Sequence, residues 1–246
     1  MTEVCIHIER KAYPTTEGGG ELCVIGNLEL DIKAHEFVCL VGPSGCGKTT
    51  LLNIIAGLDC DFDGTIHLTN GSQTPVIGYV FQTPRLLPWR NVRENIELVL
   101  ASNQDLGQVD TLLTIMGLEQ FQDYYPERLS LGMSRRVALA RAFAVEPDLL
   151  LLDEPFVSLD APTGRRIRQL LWDVWCERPH SVLFVTHDLR EAIGLADRLL
   201  FLSARPAGLV AEIAVDIPRD QRRDEKEIED FRRRIMENHR EIKGLL

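Results

Sequence analysis

An apolar run, Phe37-Val38-Cys39-Leu40-Val41, leads directly into Gly42-Pro43-Ser44-Gly45-Cys46-Gly47-Lys48-Thr49. The segment that follows, Thr50-Leu51-Leu52-Asn53-Ile54-Ile55-Ala56, reads as a buried helix ending at Gly57. The middle stretch fits the G-x-x-x-x-G-K-[ST] pattern at every fixed position, and no other feature of the chain constrains the fold as tightly. It demands a strand, a tight turn and a helix, in that order. Glycines allow successive backbone N–H groups to converge on an anion, and the helix N-terminus adds partial positive charge. Lys48 is placed to reach the β- and γ-phosphates of a nucleotide, and the Thr49 hydroxyl can ligate Mg²⁺. The contacting stretch is taken to run from Gly42 through Thr50.

A second element sharpens the reading. Four leucines, Leu149 to Leu152, end in Asp153-Glu154-Pro155. A short, continuous apolar run suits a strand covered on both faces. A carboxylate at its end can hold a water on Mg²⁺, the role expected of Asp153. Glu154, one residue on, could polarise an attacking water as general base. Such a strand end alone would be a solvated acid. Downstream of a phosphate loop it indicates a nucleoside triphosphatase.

The rest of the chain supplies an α/β frame. Val4, Ile6 and Ile8 alternate with Cys5, His7 and Glu9, a strand signal ending near Tyr13-Pro14 before the loop glycines Gly18-Gly19-Gly20. Short strands are expected at Thr65 to Leu68, Val76 to Phe81, Val182 to Val185, Arg198 to Leu202 and Leu209 to Val215. Between Pro84 and about Glu146 the texture is helical. Asn91 with Glu94 forms a capping-box pair before Ile96, Val99 and Leu100. A further amphipathic run covers Val109 to Met116, and another starts near Ser130 and stops before Pro147. Asp188 with Glu191 repeats the capping-box pattern. Beyond Pro218, Ile228, Phe231, Ile235 and Ile242 fall on one helical stripe. This predicts one domain: an α/β core from 1–83 and 147–217, a helical subdomain at 84–146 and a C-terminal helix at 218–246.

Composition narrows the partners. Acidic side chains outnumber basic ones 37 to 27, for a net charge of −10. Neutralising nucleic-acid phosphates needs clustered Lys and Arg, so no nucleic-acid partner is expected. The one dense basic cluster, Arg232-Arg233-Arg234, is flanked by acids and reads as a solvated helix face. Six cysteines include no CxxC pair, which argues against zinc and for reduced thiols. No signal peptide is evident, and no apolar run approaches the roughly 20 residues a membrane span needs. If the protein serves transport, the pore is expected in another chain.

From Tyr13 to about Arg205 the sequence resembles the ATP-binding cassette family. The resemblance implies a P-loop α/β fold with a parallel-sheet core, an antiparallel β edge and a helical subdomain insert. It implies that Tyr13 stacks on adenine, that Gln82 after Tyr79-Val80-Phe81 contacts Mg²⁺ and takes part in catalysis, and that His187 after Val185-Thr186 contacts the γ-phosphate. Ser158-Leu159-Asp160 corresponds to the loop that crosses the dimer interface. The family's Leu-Ser-Gly-Gly-Gln stands here as Leu129-Ser130-Leu131-Gly132-Met133. It retains Ser130 and Gly132, the positions that meet the γ-phosphate of the opposite subunit, and departs at Leu131 and Met133, which puts turnover in question more than binding. Thr83-Pro84-Arg85-Leu86-Leu87-Pro88-Trp89, Leu159-Asp160-Ala161-Pro162-Thr163 and Arg205-Pro206 resemble the nitrate, sulfonate and taurine group of importer ATPases. The implied assembly has two copies sandwiching MgATP on the cytoplasmic face of the cell membrane, with permease subunits and a solute-binding protein. Met133 also resembles some lipid-trafficking cassettes, and a soluble, non-transport cassette ATPase is the further alternative.

Overall fold

The computed structural model describes residues 3–15, 19–69, 74–100 and 106–245. Gly18 of the expected glycine loop lies outside them. The chain divides into two compact units, Met1–Thr74 with Ser181–Leu246, and Pro75–His180. In chain order the first unit contributes β1 (Glu3–Pro14), β2 (Glu21–Ile32), β3 (Phe37–Val41), α1 (Lys48–Ile55) and β4 (Asp63–Thr69). The second holds β5 (Ile77–Val80), α2 (Val92–Glu97), α3 (Gly107–Ile115), α4 (Leu131–Ala144), β6 (Leu149–Asp153) and α5 (Ala161–Glu177). The first then resumes with β7 (Ser181–Thr186), α6 (Leu189–Leu195), β8 (Arg198–Leu202), β9 (Leu209–Ala214), α7 (Glu225–Asn238) and α8 (Arg240–Lys243).

Two kinds of sheet occur in the first unit. β1 lies between β2 and β4, antiparallel to both. β3 lies between β7 and β8, parallel to both, and β9 pairs antiparallel with β8. The sequence patterns follow from this arrangement. Every residue of β3, β7 and β8 is buried, as in a parallel strand covered on both faces. β1 instead buries Val4, Ile6 and Ile8 and exposes the residues between them or leaves them part-exposed, as in a strand with one wet face. The second unit pairs β5 parallel with β6. The expected parallel strands and antiparallel edge are both present.

β1 and β4 approach closely where the register slips between Ile8 and Arg10. Gly64 sits there at φ 140°, and a Cβ on it would lie 2.2 Å from the His7 carbonyl oxygen. Both the backbone angle and the backbone neighbour exclude a side chain. Gly64→Ala is therefore expected to destabilise the protein by more than about 2 kcal/mol. A thermal melt should show a fall of several degrees, and an unchanged midpoint would contradict this.

Several expected elements need correction. β2 was not anticipated. It breaks its alternation twice: the register shift against β1 opposite Lys11 and Ala12 leaves both Val24 and Ile25 buried, and Asn27, at φ 49°, lets Leu28 follow inside. α5 was not anticipated either, although Ile167, Leu171 and Trp175 recur at helical spacing and are buried. The Asn91 capping box forms as expected: Asn91 Oδ1 accepts the Glu94 N–H at 2.8 Å, and Glu94 Oε2 accepts the Asn91 N–H at 2.9 Å. Its helix ends at Glu97, short of Val99 and Leu100. Asp188 caps α6 through the Arg190 N–H, but no box forms with Glu191. Glu191 accepts the Thr186 hydroxyl at 2.8 Å instead, and that hydroxyl oxygen in turn accepts the Asp188 N–H. The C-terminal stripe breaks at His239 into α7 and α8, with Phe231, Ile235 and Ile242 buried. Arg222, buried, donates to the carbonyls of Ile217 and Ala196 and to Asp197, which fixes the chain between β9 and α7. Arg232, Arg233 and Arg234 pair with Glu229, Asp230 and Asp216 on the solvated face.

Candidate active site

The first unit carries the glycine-rich loop between β3 and α1. Gly45 and Gly47 adopt φ 74° and 123°, conformations that L side chains rarely reach. A Cβ on Gly47 would also stand 2.9 Å from Val24 Cγ1. The loop is thus held tightly against β2. Lys48 is buried and donates to the Gly42 and Pro43 carbonyls at 2.8 and 3.0 Å. Its ammonium is folded back into the curve of the loop. Cys46 is buried, and its N–H donates to the Pro43 carbonyl. Ser44, Gly45 and Thr49 are exposed, and Thr50 is half-buried at the start of α1. Arg205, which sequence reasoning noted only as part of a subfamily pattern, donates from Nε to the Gly45 carbonyl.

Tyr13, near the end of β1, is exposed, and its hydroxyl donates to Asp59 at 2.7 Å. His187 follows β7 and is exposed. The strand before it is buried throughout, so the imidazole is carried on rigid backbone.

The second unit carries the acidic strand end. Asp153 closes β6 and is buried, and Glu154 follows at φ 45°, in the left-handed region. A non-glycine residue held there carries local backbone strain, which is tolerated when surrounding structure fixes it. Arg135 of α4 provides that fixation: its guanidinium donates to the Glu154 carbonyl at 3.3 Å and the Val157 carbonyl at 2.9 Å. Burial lowers the Arg135 pKa, with the Glu154 carboxylate acting in the other direction. Gln82 Nε2 donates to Glu154 Oε2 at 3.3 Å. The structure thus brings together two of the residues expected to be catalytic. Tyr79 of β5 has its hydroxyl pKa raised by burial and then by Asp153. It stays neutral beside that carboxylate.

Ser130 caps α4, its Oγ accepting the Met133 N–H at 3.2 Å. Leu131 is exposed, and a Cβ on Gly132 would meet Thr163 Cγ2 at 2.8 Å, so the glycine permits close approach of α5. Asp160 caps α5 by accepting the Thr163 N–H at 3.1 Å, and the Thr163 side chain and N–H lower its pKa. Arg135 was missed from sequence. For Arg135 a signal existed: it shares an i, i+4, i+8 stripe with Leu139 and Phe143, and all three are buried.

The model of the family described as "ABC transporter" matches residues 25–157, a span that includes the loop, Gln82, Ser130 and Glu154. The chain belongs to the ABC transporter family. Within it, the chain is similar to the aliphatic sulfonates import ATP-binding protein SsuB of Bacillus subtilis, at 39% identity over 98% of this chain and 96% of the relative. A second such protein, from Streptomyces avermitilis, is 45% identical over 80% of this chain and 74% of its own length. Among solved structures, an ATP-binding cassette dimer in a post-hydrolysis state bound to ADP and Pi aligns with a TM-score of 0.74. It is 31% identical to this chain and covers 87% of it and all of the solved chain. This is an ATP-binding, ATP-hydrolysing cassette, and its two sheet types with flanking helices are those of the family's α/β fold. All six cysteines are free thiols. Among the described residues no helix is long and apolar enough to cross a membrane.

Proposed function

We propose that this ABC ATPase is one half of a nucleotide-sandwiched homodimer on the cytoplasmic face of the cell membrane, energising import of a sulfonate-class solute through separate permease subunits. The observation that carries the solute class is the similarity to aliphatic sulfonate import proteins over nearly the full chain. A solute-binding protein would deliver the cargo. Nothing in an ATPase of this kind touches the solute, so the class rests on relatives and not on the site.

In this reading the backbone of Gly42 to Thr49 and the Lys48 ammonium bind the triphosphate. Thr49, Gln82 and Asp153 offer hard oxygen donors of the kind Mg²⁺ prefers. Bound with ATP, the ion would neutralise charge on the phosphates. Among the described residues no group of three His, Cys, Asp or Glu could hold a metal ion. Mg²⁺ bound chiefly through substrate phosphates does not require one. Glu154 accepts the proton of the attacking water, Gln82 and Arg135 hold its position, and His187 donates toward the γ-phosphate. Ser130 and Gly132, at the start of α4, meet the partner copy's nucleotide, and Asp160 orders the neighbouring helix start. Closure on ATP and reopening after hydrolysis are a ligand-driven shift between two states. The permease contact is assigned to the loop around Trp89, which is 68% exposed. Buried Asn95 fixes that loop by bonds with the backbone of Leu87, Arg90 and Asn91.

The test is solute-stimulated ATPase of the assembled transporter in proteoliposomes. Stimulation by an alkanesulfonate together with its binding protein is expected. Stimulation by phospholipid alone would overturn the solute class and favour the lipid-trafficking reading.

The altered signature gives a second test. Leu131 occupies the first turn of α4, and the Met133 N–H that Ser130 accepts is a backbone group that any residue supplies. Leu131→Gly with Met133→Gln keeps the cap and costs the helix about 1 kcal/mol. Basal ATPase should stay the same or rise. A large loss would mean that Leu131 and Met133 are fitted to this protein's own dimer interface.

A further inference from the structure

Lys11 is a cation that the motifs leave without a task. Its side chain is 1% exposed. Nζ donates to Asp59 Oδ1 at 2.8 Å and to the Asp61 carbonyl. The other oxygen of Asp59 accepts the Tyr13 hydroxyl at 2.7 Å. Thr50, in the first turn of α1 just after the phosphate loop, acts on the same hydroxyl, lowering its pKa against the rise from burial and Asp59. The Lys11 ammonium stands 4.4 Å from the centroid of the Tyr13 ring. Burial opposes both charges of the Lys11–Asp59 pair, but their mutual bond outweighs it, raising the lysine and lowering the aspartate pKa. At neutral pH the pair is therefore ionised.

These contacts restrain one aromatic ring in two ways. Asp59 anchors its hydroxyl end, and a cation covers one face. A base can then stack only on the other face. A ring ordered before the ligand arrives avoids the entropy cost of ordering it on binding. We propose that Lys11 and Asp59 are positioning residues that preorganise Tyr13 as the stacking platform for the purine of ATP. The inference rests on the ATP-site reading above and adds the device that sets the ring.

The experiment compares equilibrium binding of MgATP with that of Mg-tripolyphosphate, which has the phosphates and no base. Tyr13→Ala should weaken MgATP by about tenfold, the loss of one base stack, and leave tripolyphosphate unchanged. Lys11→Met and Asp59→Ala should weaken MgATP by about threefold or more, again without changing tripolyphosphate. Tyr13→Phe, which keeps the ring and the buried pair, should lose MgATP affinity in the same direction and guards against a folding defect in the other two. Parent affinity for MgATP in Lys11→Met, Asp59→Ala and Tyr13→Phe, with Tyr13→Ala still impaired, would overturn the positioning role and leave the ATP-site reading standing. Equal weakening of both ligands would also overturn it, as a general structural effect. Parent affinity in Tyr13→Ala would remove Tyr13 from the ATP site, and the inference with it.

Discussion

Glutamine in place of Glu154 is expected to cut ATP turnover by at least about 100-fold, the lower end of what a general base contributes. Glu154 follows a buried strand, in a left-handed backbone conformation that Arg135 holds through two carbonyls. That conformation depends on backbone bonds, which glutamine leaves in place. The side chain keeps its size and can still meet Gln82, whose amide lies 3.3 Å from Glu154 Oε2. What is lost is the capacity to take a proton. Melting temperature and MgATP affinity should therefore stay near the parent's while steady-state phosphate release falls. Parent turnover in this variant would place the base elsewhere.

Lys48→Met should have its effect on the other side of that division. The ammonium is buried on two loop carbonyls, so removing it leaves those acceptors short of a donor. The cost is about 1–3 kcal/mol in stability. The larger effect is on the triphosphate, which loses a charge-assisted contact worth roughly 1.5–3 kcal/mol, or about 10- to 150-fold in MgATP affinity. Turnover should fall with it. Calorimetric titration distinguishes the two variants: Glu154→Gln binds and does not turn over, whereas Lys48→Met does neither well. Unchanged MgATP binding by Lys48→Met would contradict the phosphate-loop assignment.

The parts legible in sequence were those whose chemistry is local. The phosphate loop, the acidic strand end and the Asn91 cap each lie within a few consecutive residues, and the structure forms each of them. β2 was illegible because its alternation breaks at the register shift beside Val24 and again at Asn27, which takes φ 49° inside the strand. α5 does carry start signals, Asp160 at its cap and Pro162 in its first turn, and its buried Ile167, Leu171 and Trp175 recur at helical spacing. The Asp188 box failed because a neighbouring hydroxyl, Thr186, competed for the Glu191 carboxylate. Contacts made through the fold left no local trace. Lys11 and Asp59 are 48 residues apart, and Arg135 meets the turn after β6 only because α4 is buried nearly all round. Such residues become visible once strand register and helix docking are known.

In the proposed dimer, two copies share each ATP. Glu154→Gln isolates that sharing, because binding without hydrolysis should hold the closed state. Light scattering on this variant at tens of micromolar should give a monomer without nucleotide and a dimer in MgATP. Ser130, at the exposed start of α4, is the residue assigned to the partner's nucleotide. Adding Ser130→Arg places a bulky side chain there and should return the protein to monomer in MgATP. A Glu154→Gln variant that binds MgATP yet remains monomeric, or a dimer that survives Ser130→Arg, would contradict the shared site.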